Sequence, residues 1–192
     1  MFNRVAFALF VLTAPVIAQN GAQSPPFSDN PELTQLFKED QRVRQPKPLG
    51  PDEPKIIRTD VERLASVKEM LARDQIHTQA DYLHAALILQ HSQLSADYLV
   101  AHTLAVLCAA EHDKTCLWLS AATLDRYLQS VDQAQIYGTQ YTHFDKPPIT
   151  QQPYADDLIS DTLRKSLGVP PLEEQKKELK NMNERLVHSV RK

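Results

Sequence analysis

The chain has 192 residues, with 21 basic and 24 acidic side chains, a formal charge of −3, 13 prolines, 4 glycines and 2 cysteines. That is the length of one ordinary domain, enough to bury a core without a metal or a disulfide scaffold. The slightly acidic balance argues against a nucleic-acid surface, and no glycines form GxGxxG or GxxxxGK(S/T) to cradle a phosphate.

Met1 to Ala18 reads as a secretory signal. Arg4 supplies the positive start, Val5 to Leu12 the apolar run, and Pro15 precedes Val16-Ile17-Ala18 with small or β-branched groups at the −3 and −1 positions. The run is shorter than the roughly 20 residues of a membrane span. The expected location is therefore the periplasm or the exterior, with no membrane span in the mature form. Residues 19–30 read as a polar, disordered leader. Asn30-Pro31 is an N-cap followed by proline at the first helical position, and Leu33, Leu36 and Phe37 share one face of a helix ending near Arg44. Residues 45–54 hold four prolines and read as an extended connector.

From Lys55 onward Val61, Leu64, Val67, Met70 and Leu71 recur at helical spacing. Thr78 is expected to cap a third helix with Leu83, Ala86, Leu87 and Leu89. Ser95 is expected to cap a fourth with Tyr98, Leu99, Leu104 and Leu107, and Thr115 to start a fifth with Leu117, Leu119, Leu124 and Leu128. Ala-rich helices joined by short turns resemble stacked antiparallel hairpins of the tetratricopeptide type. Cys108 and Cys116 flank one such turn; in an oxidising compartment a disulfide is expected, the alternative being two buried thiols. Residues 131–153 read as a long ordered polar loop, within which 136–142 is the one candidate extended piece. Helices over Ala155–Leu167, stopped by Gly168, and over Leu172–Val190, with a thin stripe of Leu172, Leu179, Met182 and Leu186, complete the chain. The predicted class is all-α, one domain over 31–168 with a C-terminal helix over 169–192.

Two constellations bear on chemistry. His84, His91 and His102 fall on neighbouring helices, but seven-residue spacing is not that of metal ligands on one helix, and no metal or cofactor is expected. Asp125-Arg126 is followed by Gln135-Ile136-Tyr137-Gly138-Thr139-Gln140, where Gly138 stands alone in a polar loop. The residues fit either a ligand site or a brace between a helix end and its loop.

Taken together, DQRVR (Asp40, Gln41, Arg44), LQHS (Gln90, His91), LDR (Asp125, Arg126) and QIYGTQ (Gln135–Gln140) resemble a bacterial family of mostly helical, functionally uncharacterised domains found in exported or lipid-anchored proteins. The resemblance spans about residues 33–140 and departs from the pattern in the proline-rich connector and the C-terminal helices. It implies one shared pocket. In that pocket His91 would transfer protons, Asp40 or Asp125 would orient it, and Arg44 or Arg126 would bind a carboxylate or phosphate. Gln135, Tyr137, Thr139 and Gln140 would add orienting hydrogen bonds. No covalent nucleophile stands out, since Ser92 diverges from His91 by about 100° on a helix. The expected function is binding of a small polar or anionic ligand, with acid–base or hydrolytic chemistry open. The alternative is a helical-repeat module that docks a protein partner.

Overall fold

The computed structural model describes residues 27–44, 53–110, 113–142 and 148–190. The expected signal segment, residues 19–26 of the leader and residues 45–52 of the connector lie outside the described residues. Among the described residues the protein is all-α. In chain order the helices are α1 (Pro31–Val43), α2 (Glu53–Ala72), α3 (Gln79–Leu89), α4 (Ser95–Ala109), α5 (Lys114–Ser130), α6 (Asp161–Ser166) and α7 (Leu172–Val190). No strand forms among them; the 136–142 piece and its surroundings contribute only isolated bridges, Gln135 with Tyr154 and Thr142 with Thr150. No helix among the described residues is long and apolar enough to cross a membrane.

Helix starts follow from side chains that accept the orphan backbone N–H groups of a first turn. Asn30 Oδ1 accepts from Glu32 and Leu33 N at 3.0 and 3.1 Å, and Pro31 occupies the position that needs no donor. Thr78 and Asp81 form a reciprocal capping box on α3. The Asp81 carboxylate also accepts from Asn30 N at 2.8 Å, which joins the starts of α1 and α3. Two caps differ from expectation. Asp113, not Thr115, caps α5 by accepting from Thr115 and Cys116 N. Ser95 is the first residue of α4, and the cap position, Leu94, offers no side-chain acceptor. The helix expected over 155–167 shrinks to α6, capped by Ser160, and α2 begins at Glu53, inside the expected connector. Residues 27–30 of the expected leader are held: Phe27 stacks on His77 with centroids 4.0 Å apart, and Thr78 Oγ1 donates to Asp29 at 2.8 Å.

Helices α3, α4 and α5 form consecutive packed pairs, and α1 and α2 pack on α3 and on each other. Ala85, Ala86, Ala101 and Ala105 are fully buried, so the α3 and α4 backbones approach closely, and Leu33, Val67, Met70, Ile88, Leu89, Leu104 and Leu119 fill the core. One register differs from the sequence reading. Val61, expected inside, is 62% exposed, and Arg63 is buried instead, in line with Val67 and Met70. Cys108 and Cys116 are joined by a disulfide with Cα atoms 5.6 Å apart, closing the α4–α5 turn. So short a loop adds about 2–3 kcal/mol.

Candidate functional site

The polar residues singled out in the sequence divide into two groups. The first lies where α1, α2, the end of α3 and α5 meet. At its centre the Asp40 carboxylate, 1% exposed, receives Arg44 Nη2 at 3.2 Å and lies 3.5 Å from Arg63 Nε and 3.7 Å from His91 Nε2. Gln41 Nε2 donates to its other oxygen at 3.1 Å. Asp60 forms the opposite wall: its Oδ1 pairs with Arg44 Nη2 at 3.2 Å and with Arg63 Nη2. Arg126 reaches in from α5 and donates through Nη1 to the carbonyl of Gln90 at 2.9 Å, beside His91. Arg44, Asp60 and His91, each about one quarter exposed, form the edge open to solvent.

Three guanidinium groups and an imidazole thus face two carboxylates. Their hydrogen bonds are incomplete. Among the described residues Arg63 Nε and Nη1 and Arg126 Nε are buried without a hydrogen-bond partner. An unmet charged donor in a protein interior costs more than the ordinary ~1–3 kcal/mol of a buried polar group.

Electrostatics follow from the same crowding. Burial raises the Asp40 pKa, opposed by Arg44 and Arg63. His91 is pushed down to about 3, first by burial and then by the charges of Arg44 and Arg126, with Arg63 adding to them and Asp60 opposing. At neutral pH the imidazole is therefore uncharged, a hydrogen-bonding group with little capacity as a base. Its folded-state pKa lies below the unfolded value of 6.5, so the unfolded chain binds a proton that the folded chain refuses between pH 6.5 and about 3. Stability is expected to fall as pH drops through that window, by about 2 kcal/mol over its first two units once solvent screening is discounted. Asp40, with its raised pKa, acts in the opposite direction above its ordinary value of 3.8. Denaturant titrations from about pH 7 to 4.5 check this. The His91→Gln variant should show a visibly flatter pH profile, and an unchanged slope would refute the assignment.

The second group surrounds the loop after α5. Asp125, fully buried, accepts four hydrogen bonds, all from the loop: from Ile136 N at 2.8 Å, Tyr137 N at 3.0 Å, Thr139 N at 2.9 Å and Thr139 Oγ1 at 2.8 Å. It is the anchor of this loop. The neighbouring Arg126 diverges from it by about 100° around α5, which is why one dipeptide serves two groups. Gln135 donates through Nε2 to the carbonyls of Gln140 (2.9 Å) and Gln151, and accepts from Gln140 N at 2.9 Å. Gln140 Nε2 donates to Ala122 O at 3.1 Å. Tyr154 OH and Gln175 Nε2 both donate to Tyr137 O, at 3.0 and 2.9 Å. These contacts bind the loop to α5 and α7, and among the described residues no hydrogen bond or ion pair links them to His91.

Comparison with protein-family models, with curated proteins and with solved structures found no match.

The three histidines go to three places. His84 stacks on Phe37 with centroids 4.2 Å apart, His91 faces Asp40, and His102 Nδ1 meets Ser120 O at 2.9 Å. No group of three or more His, Cys, Asp or Glu able to hold a metal forms among the described residues. Ser92 has its hydroxyl engaged, donating to Asp97 Oδ2 at 2.5 Å and accepting from Leu94 N at 3.1 Å.

Sequence reasoning missed Asp60 and Arg63 in the first group, and Gln151, Tyr154 and Gln175 in the second. For two of these a signal existed. Arg63 lies four and seven residues before Val67 and Met70, and Gln175 lies between Leu172 and Leu179 on the α7 stripe. A polar residue at a core-facing register position marks a buried, partnered group.

Proposed function

We propose that the chain is an exported helical domain that binds a small anion, a carboxylate or a phosphate, in the cluster of Asp40, Arg44, Asp60, Arg63, His91 and Arg126. One observation carries the reading: among the described residues the buried Arg63 Nη1 and Arg126 Nε have no hydrogen-bond partner, and Arg63 Nε has only the Asp40 carboxylate at 3.5 Å. An unpaired buried donor is expensive, and here, unlike at Arg164, where one Nε is left over, two arginines of one cluster carry them. An incoming anionic oxygen would complete Arg63 Nη1 and Arg126 Nε through single charge-assisted hydrogen bonds, the kind a carboxylate or phosphate oxygen accepts. With His91 uncharged, three arginines against two aspartates leave one positive charge, matched by a monovalent anion. The same neutrality favours binding over proton transfer, so His91 is read as a hydrogen-bonding residue of the site.

Titration of the full chain with sodium acetate and, separately, with sodium phosphate tests this by calorimetry. Saturable binding of at least one anion is expected. Arg126→Met, which keeps the apolar stem, should weaken it roughly tenfold or more, the worth of one charged hydrogen bond. Heats that never saturate, or affinity indifferent to Arg126→Met, would remove the proposal.

A further inference from the structure

Helix α4 keeps its polar side chains off its outer face: Asp97 pairs with Lys68 and Ser92, Tyr98 OH donates to Ser92 O, and His102 Nδ1 meets Ser120 O. Ala101, Leu104, Ala105 and Cys108 are buried against α3 and α5. On the opposite side Leu99, Val100, Val106 and Leu107 stand 39, 38, 50 and 48% exposed, with Ala96, Thr103 and Ala110 exposed between and beyond them. A contiguous apolar helix face is ordinarily covered. The outer stripe carries no ionisable group, and its one hydroxyl, Thr103 Oγ1, donates back to Leu99 O at 2.9 Å within the helix. What remains at that position is a methyl.

We propose that this face pairs with the same face of a second copy of the chain, the two α4 helices running antiparallel across a two-fold axis at Thr103. The stripe reads the same in both directions from that residue. Ala96 and Ala110 lie seven positions away, Leu99 and Leu107 four, and Val100 and Val106 three. In an antiparallel pair a residue k positions before the axis meets the one k positions after it. Alanine then faces alanine, leucine leucine and valine valine, and the threonines meet at the centre. The small residues at the middle and ends let the helices approach, and the larger ones fill the flanks. Self-pairing brings no like charges together, and a two-fold contact closes on itself without leaving a second sticky face. The stripe is a single face of one helix, running from Ala96 to Ala110, small against the ~800 Å² per partner of a standard interface and suited to a reversible dimer.

Sedimentation equilibrium on the full chain should show the mass rising from one chain toward two between roughly 10 and 200 µM, the range of a micromolar dissociation constant. The double variant Leu99→Glu, Val106→Glu should stay at one chain mass with an unchanged helical spectrum, because both positions lie at the surface, 39 and 50% exposed. In a third experiment Thr103→Cys is oxidised: since Cys108 and Cys116 are already joined, the new thiol is the only free one, and it should give a covalent dimer. Gln93→Cys, exposed in the turn before α4 and off the stripe, should not. A one-chain mass at the highest concentration overturns the pairing. So does a dimer that survives the double glutamate variant, which would place the contact elsewhere, for instance around Phe27, or a dimer in which Thr103→Cys does not cross-link.

Discussion

Gly138→Ala is expected to destabilise the protein by about 3–5 kcal/mol, a fall in melting temperature on the order of 10 °C for a chain this size. Two costs combine. Gly138 has φ +81°, where an L side chain is strained by about 1 kcal/mol. A Cβ there would also stand 2.5 Å from Tyr154 OH and closer still to Gln175 Oε1, two side chains fixed by their own hydrogen bonds to Tyr137 O. Neither can move without giving up the contact that docks α7 on the loop. Gly168 supplies the control. Its φ is +71°, yet an added Cβ would meet nothing nearer than Trp118 Cβ at 3.8 Å. Gly168→Ala should therefore cost only the backbone strain. Thermal unfolding followed by circular dichroism compares the two, and equal losses would show that close approach at Gly138 is not what requires the glycine.

The second large effect is expected at Asp125. Replacement by Asn keeps the shape but turns an NH2 group toward two donors, and replacement by Ala leaves all four without their acceptor. Losses of about 3 kcal/mol for Asn and up to about 5 for Ala follow from the cost of unmet buried donors next to a lost charge. The local signature is more specific than the global one. The amides of Ile136, Tyr137 and Thr139 should lose hydrogen-exchange protection together, because one carboxylate holds all three. Exchange measured residue by residue by NMR checks this, and retained protection in Asp125→Ala would mean that the loop is held by Gln135 and Gln140 instead. In the same variant, anion binding at the Asp40–His91 cluster should persist wherever the protein remains folded, since Arg126 and Asp125 serve different groups.

That division marks the boundary of what local pattern can reveal. Asp125 and Arg126 are neighbours in the sequence, and nothing in their order says that one braces a loop while the other reaches Gln90 O, 36 residues back along the chain. The ~100° step of a helix does that, once α5 is set between α3 and the loop. Similarly, Asp40, Arg44 and His91 are legible as a polar set, but the loop at 135–140, which the sequence groups with them, is held by contacts of its own. Gln135 is legible as a polar loop residue; its burial depends on Gln151 and on the packing of α7.

The order of residues alone sets the helical class, the positions of α1, α3 and α7, the cap at Asn30, the cap at Thr78 and the stop at Gly168. These are local events, governed by which backbone groups lack partners within one turn and by the ~3.6-residue period. Packing between helices decides the rest: that Arg63, and not Val61, points inward from α2, that α4 keeps an apolar face in water, and that six charged or imidazole groups from α1 and its cap, α2, the turn after α3 and α5 share one cluster. The reason is that the period of a helix states which residues lie together on a face, whereas the direction in which that face points depends on which neighbours bury the most apolar area and meet the most buried charges.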